Sequence, residues 1–176
     1  QLGINNKLVF LYVGRVSPEK DLDILIDAYR EVYNKYGDKI ALVVTGEGPY
    51  LDKCKNDFPK GTIFTGFKKG KELAQIYASS DIFVFPSSTE TFGNVVLEAM
   101  ASGVPVIGAD AGGVKNTIKH KINGLKFKAR HVNELIDLMV ELIEDEDLRN
   151  TLSINARNTG LRRSWNKVFN GLMDTY

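Results

Sequence analysis

Short apolar runs, each broken by a glycine or a polar turn and followed by a helix-like segment, recur along the whole chain. Residues 7–16 (KLVFLYVGRV), 40–45 (IALVVT), 62–67 (TIFTGF), 82–85 (IFVF), 104–109 (VPVIGA) and 125–127 (LKF) are the strand candidates. The runs at 7–16 and 82–85 lack polar alternation, which suits strands buried on both faces. After the first run, Leu22, Leu25, Ile26, Tyr29, Tyr33 and Tyr36 recur at helical spacing and Gly37 closes the stripe. Further helices are predicted over 50–57, 71–78, 95–101, 114–119, 132–143, 147–159 and 165–176. Strands alternating with helices predict a doubly wound α/β fold, a six-stranded parallel sheet with helices on both faces. No repeat, low-complexity tract or second domain is visible, so 1–176 reads as one domain.

Residues 81–103 (DIFVFPSSTETFGNVVLEAMASG) hold the chemistry. Pro86 ends the strand, Ser87, Ser88 and Thr89 make a polar turn, and Gly93 opens a helix whose only charge is Glu98. So apolar a helix is expected to be covered on most sides, with a partner for its glutamate. In an open parallel sheet, ligands bind where such loops lie, at the C-terminal ends of the strands. The backbone N–H groups of Phe92, Gly93 and Asn94 are predicted to face an anion. Carboxylates at Glu90 and Glu98 suit hydroxyls instead. Anion donors beside hydroxyl acceptors describe a sugar nucleotide. The competing reading makes Glu90 a helix cap and pairs Glu98 with a surface lysine.

Arg15 and Lys20 follow the first strand on the same side of the sheet. A guanidinium fork and a mobile ammonium could together neutralise a diphosphate. Lys20 could equally be an ordinary surface residue, although a cation at a helix start opposes the dipole. Gly46-Glu47-Gly48 is only half of a dinucleotide fingerprint, since Leu51 stands where the third glycine belongs. Ala111-Gly112-Gly113 is either a close backbone approach to a ligand or a plain turn. Asp21-Leu22-Asp23 is assigned to capping a helix, and the acidic run at Asp145, Glu146 and Asp147 to an inter-helix turn, so neither is given a metal. His120 and His131 lack ligand-spaced partners, and no metal site is expected.

A formal net charge of +1 gives no reason to expect nucleic acid, and one cysteine, Cys54, fits a reducing compartment. No apolar run approaches a membrane span. Residues 115–130 carry six Lys/Arg and no acid, whereas 134–147 carry seven acids and no Lys/Arg. The first block is a candidate contact for anionic lipid or acceptor, against the plainer reading of two solvated faces. Because the sequence starts at Gln1, a piece of a longer protein is expected.

Taken in order, these residues resemble a known family. GR-x4-K (Gly14, Arg15, Lys20), GEGP, TGF, an aspartate before FVFPS, and E-x7-E within ETFGNVVLEAMASGVPVI resemble the nucleotide-sugar-binding domain of family-4, or group 1, retaining glycosyltransferases. The likeness covers nearly the whole chain, Trp165 and the tail SWNKVFNGLMDTY included. It implies a Rossmann-like domain, one half of a GT-B enzyme, that takes a UDP- or GDP-sugar and passes a hexosyl group to a saccharide or lipid-linked acceptor. By that resemblance Gly14, Arg15 and Lys20 hold the diphosphate, with catalytic roles for Arg15, Lys20 and Glu90. Glu90 contacts the sugar, helped by Phe92, Gly93, Asn94 and Val95. Glu98 takes the ribose, and Phe67 and Lys68 lie near the base. No cofactor or metal is implied. Residues 161–176 would pack towards an absent N-terminal domain, without which the chain binds nucleotide but transfers nothing. The implied location is cytoplasmic, with membrane association of the full-length protein left open. One departure is Asn116, where the family often places a glutamate after the Gly-Gly turn. An epimerase or hydrolase relative on the same fold, and a free-standing nucleotide-binding regulatory module, are the alternatives.

Overall fold

A computed structural model describes residue 4, residues 6–91 and residues 93–162. Strand β1 (Leu8–Val13) leads through a 3-10 turn (Pro18–Lys20) into α1 (Leu22–Tyr36). Next come β2 (Ile40–Thr45), α2 (Leu51–Asp57), β3 (Ile63–Gly66) and α3 (Gly70–Ala78). The second half runs β4 (Ile82–Phe85), α4 (Asn94–Ala101), β5 (Val106–Ala109), α5 (Val114–Thr117), β6 (Leu125–Phe127), α6 (Val132–Glu144) and α7 (Glu146–Arg162). All neighbouring strands are parallel, in the order β3-β2-β1-β4-β5-β6. The predicted architecture is therefore the observed one.

Burial explains why the central strands carry no polar alternation. Phe10, Leu11, Tyr12, Phe83, Val84 and Phe85 of β1 and β4 are fully enclosed, because helices cover both faces. The rings of Tyr12, Phe85 and Phe83 form a stacked row, with centroids 6.2 and 6.1 Å apart. Helix α1 packs with α6 on one face. On the other, α7 closes on α4, where Ser153 Oγ and Arg157 Nη1 donate to the carbonyls of Gly103 and Ala101. Right-handed crossovers run outward from β1 in one direction and from β4 in the other. Their loops diverge at the seam between these strands, the place where such sheets bind ligands.

Several local expectations are refined. β1 ends at Val13, one further ladder bond runs from Gly14 N–H to Thr45 O, and the Tyr12 hydroxyl donates forward to Arg15 O. The aspartate before FVFPS, Asp81, lies just before the amino end of β4, at the opposite end of the strands from the loops that follow β1 and β4. Its carboxylate takes Val9 N–H at 2.7 Å while its own N–H bonds to Val9 O, locking β4 to β1. In the acidic run, Asp145 Oδ1 accepts Leu148 N–H at the start of α7. The basic and acidic blocks are partly joined, by Lys121 to Glu141 at 3.0 Å. No described helix is long and apolar enough to cross a membrane. The helix expected over 165–176 lies outside the described residues.

Candidate functional site

Two loops meet at the seam, Gly14–Asp21 after β1 and Pro86–Gly93 after β4. The first tightens into a 3-10 turn, with Lys20 N–H to Ser17 O and Asp21 N–H to Pro18 O, each 3.1 Å. Side chains then stitch it to the second. Lys20 Nζ lies 2.8 Å from Glu90 Oε2, with only 18% and 24% of the two side chains exposed. Thr89 Oγ1 donates to Glu19 O at 2.9 Å. Asp21 Oδ2 accepts both the N–H and the hydroxyl of Ser88, at 2.8 and 2.6 Å. Its Oδ1 takes Arg130 Nε from the loop after β6 at 3.2 Å. Glu19, held by the Ser17 hydroxyl at 2.7 Å, has its carboxyl below the usual range, chiefly through that bond.

The far side of Glu90 is held by backbone. Gly113 N–H bonds to Glu90 O at 2.7 Å, and a Cβ on Gly112, whose φ is +51°, would stand 2.2 Å from that same oxygen. The Gly-Gly turn is thus an approach of backbone to backbone. Gly93, at φ +68°, caps α4, and its N–H points to Glu90 Oε1 at 3.4 Å. One turn into α4, Glu98 lies on the exposed side and accepts the Tyr77 hydroxyl from α3 at 3.0 Å. Burial first, then the Glu98 charge, keep Tyr77 protonated far above its ordinary range. Beyond β3, Glu47 Oε1 accepts Phe67 N–H at 3.4 Å, leaving the Phe67 ring 65% exposed, and Lys68 pairs with Glu72 at 3.2 Å.

A cation and two carboxylates at the carboxyl ends of a doubly wound sheet could belong to several families, and comparison with known proteins decides among them. The sequence profile described as glycosyl transferases group 1 matches residues 1–159. The chain belongs to the group 1 glycosyltransferase family. It is 36% identical over 170 residues to a sulfoquinovosyl transferase of Arabidopsis thaliana, covering 93% of this chain and 32% of that protein. It is 35% identical over 173 residues to a GDP-mannose-dependent alpha-mannosyltransferase of Mycobacterium tuberculosis, covering 98% and 43%. Among solved structures, HepE from Anabaena superposes with TM-scores of 0.87 in its UDP complex and 0.86 in its UDP-glucose complex. Identity there is 26%, over all of this chain and 51% of that one. These structures carry the GT-B fold, of which this sheet is one half. The chain spans less than half the length of those two curated relatives.

The residues that carry the resemblance fall into three neighbourhoods. Gly14, Arg15, Lys20, Glu90 and Gly93 gather at the seam, with Arg15 exposed and Gly93 buried. Asn94 and Val95 begin α4 and lead to Glu98, while Phe67 and Lys68 stand beyond β3. Phe92 lies outside the described residues. Several of these residues take partners that the sequence did not specify. Glu98 is exposed and held by a tyrosine, because α4 buries Val96, Ala99 and Met100 instead. The N–H of Gly93 faces Glu90, so one carboxylate both caps the helix and pairs with Lys20. Asp21 stands at the start of α1 but makes no side-chain cap, because its left-handed backbone (φ 52°) turns the carboxylate to Ser88. Asp23 binds Tyr50 and Lys53. The glycines of GEGP serve packing, since a Cβ on Gly46 or Gly48 would meet the carbonyls of Gly14 or Val16 at 1.9 or 2.1 Å. Sequence reading missed Ser88, Arg130 and Tyr77 as partners of the site, for they lie far from Asp21 and Glu98 along the chain and form no spaced motif.

Proposed function

We propose that this chain is the donor-binding domain of a retaining glycosyltransferase, which moves a hexosyl group from a UDP- or GDP-sugar to a saccharide or lipid-linked acceptor. The observation that carries this is the pairing of Lys20 with Glu90 at the β1–β4 seam. A cation suited to phosphate and a carboxylate suited to hydroxyls stand side by side there, so that once they part each can take one end of a sugar joined to a diphosphate. Lys20 exchanges Glu90 for the diphosphate, with Arg15 beside it, and Glu90 turns to the sugar hydroxyls. Glu98 takes the ribose, and the base lies towards Phe67 and Lys68. As the bond from sugar to diphosphate breaks, its electron pair leaves on the phosphate oxygen, and the two cations stabilise that charge. They supply it without a metal. The acceptor is held by a second, N-terminal domain, in keeping with relatives more than twice as long as this chain. Support for the donor class comes from the mannosyltransferase named for GDP-mannose and from HepE held with UDP and UDP-glucose.

The test is titration calorimetry of this chain with UDP, GDP and ADP and with UDP-glucose and GDP-mannose, with and without EDTA. Selective binding of one diphosphate and its sugar, weakened in Arg15→Ala and Glu98→Ala, is expected. Absence of binding to any of them at millimolar ligand would refute the donor-site reading for this chain.

A further inference from the structure

Asp21 has no part in the roles assigned above, yet three of the loops at the carboxyl ends of the strands meet at its carboxylate. It follows Lys20 directly, bonds twice to Ser88 two residues before Glu90, and holds Arg130 from the loop after β6. The carboxylate is only 10% exposed, whereas its Arg130 partner is 69% exposed. Its backbone is left-handed, at φ 52°, and so is that of Arg130, at φ 66°. Left-handed backbone disfavours most side chains, aspartate less than arginine, and residues held there by their surroundings cluster at functional sites.

We propose that Asp21 is a positioning residue that sets the spacing between Lys20 and Glu90, and hence whether a sugar and a diphosphate fit the site together. The proposal rests on the donor-site reading above. Lys20 is fixed by its own 3-10 turn, and Glu90 is fixed on its far side by Gly113. What remains is the distance between the two loops, spanned among the described residues by the links of Lys20 to Glu90, Thr89 to Glu19 and Asp21 to Ser88. The Lys20–Glu90 link opens when the donor takes both groups. The single hydroxyl of Thr89 and the doubly bonded Asp21 then carry the register, and Asp21 makes the charge-assisted bonds, the stronger kind. Arg130 occupies the other carboxylate oxygen. A nucleoside diphosphate needs the cation alone and is indifferent to this spacing. A sugar nucleotide needs cation and carboxylate at once.

Glycine suits the backbone of residue 21, so Asp21→Gly removes the carboxylate without strain. Calorimetric titration of the wild-type chain, Asp21→Gly, Asp21→Asn, Ser88→Ala and the Asp21→Gly/Ser88→Ala double variant would use UDP with UDP-glucose and GDP with GDP-mannose. Thermal melts would run alongside. Asp21→Gly, which gives up the bonds to Ser88 and Arg130 while relieving its backbone, is expected to stay folded with a lower melting temperature, to lose about tenfold in affinity for the sugar nucleotide and less than about threefold for the diphosphate alone. Asp21→Asn keeps an acceptor for Ser88 N–H and falls between. Adding Ser88→Ala to Asp21→Gly costs nothing further, as for two residues acting through one contact. Equal losses for both ligands, or none, would overturn the positioning role while leaving the donor site standing. A wild-type chain that binds neither ligand would overturn both.

Discussion

Lys20 and Glu90, seventy residues apart, meet at 2.8 Å across the seam between β1 and β4, and most of each side chain is shielded from water. The ammonium and the carboxylate neutralise each other. Neither charge is left uncompensated at a half-buried position, where isolation would be costly. On the donor-site reading proposed above, binding is an exchange of partners.

Exchange predicts opposite effects for the two sides of the pair. Glu90→Gln releases Lys20 and should strengthen binding of the bare nucleoside diphosphate by about twofold to fivefold, the scale of a partly exposed ion pair. The same change should weaken binding of the sugar nucleotide. Lys20→Ala should weaken both ligands by about tenfold or more, as expected for loss of a bond to a charged group. Calorimetry on the chain separates the cases. A Glu90→Gln variant with weaker diphosphate binding would rule out the exchange.

Gly112→Ala should disable the site from its far side. The new Cβ would lie 2.2 Å from Glu90 O, in backbone at φ +51° that disfavours side chains. Destabilisation of about 1–3 kcal/mol is expected, together with loss of sugar-nucleotide binding as Glu90 shifts. Denaturant unfolding and titration of the same sample measure both.

Gly160→Ala sets two effects against each other. Alanine in a helix interior is favoured over glycine by about 1 kcal/mol. Here, however, its Cβ would stand 2.4 Å from Ala101 N and 2.6 Å from Ala101 Cα, where α7 lies against α4. Backbone cannot yield as a side-chain tip can, and overpacking costs about 1–3 kcal/mol. A net loss in urea unfolding is predicted, and a more stable variant would contradict the close helix contact.

Alkaline pH should unfold the protein. Tyr12, Tyr29 and Tyr77 are all held above the ordinary tyrosine value of 10.0, in each case mainly by burial. The native state thus keeps protons that the unfolded chain gives up near pH 10. Their contribution to stability is complete below that pH and shrinks as pH rises above it. Tyrosinate absorbance followed with circular dichroism should show these rings ionising only as the fold is lost. Full titration of all seven tyrosines in a folded protein would contradict this.

The contact between α3 and α4 offers a separate test. Tyr77→Phe removes the hydroxyl that Glu98 accepts at 3.0 Å and Val95 O at 3.3 Å. About 1 kcal/mol of stability should be lost, and nucleotide binding should weaken as Glu98 loses its fixed orientation. Unchanged affinity would show that Glu98 is oriented without Tyr77.

The sequence by itself determined the elements and their order. Apolar runs without alternation mark strands buried on both faces, and stripes at helical spacing mark their covers, because each pattern follows from local geometry and the need to bury apolar surface. It also placed Arg15, Lys20 and Glu90 in loops that follow strands and Glu98 on the helix after the second of them. Tertiary structure alone decided the partners. Lys20 takes Glu90, Asp21 takes Ser88 and Arg130, Tyr77 takes Glu98, and Gly112 lies against Glu90. These contacts join loops whose nearness depends on strand order, and no spacing along the chain encodes which strand lies beside which. Pairing of β1 with β4 brings residue 20 to residue 90, and that pairing is settled by the packing of the whole sheet.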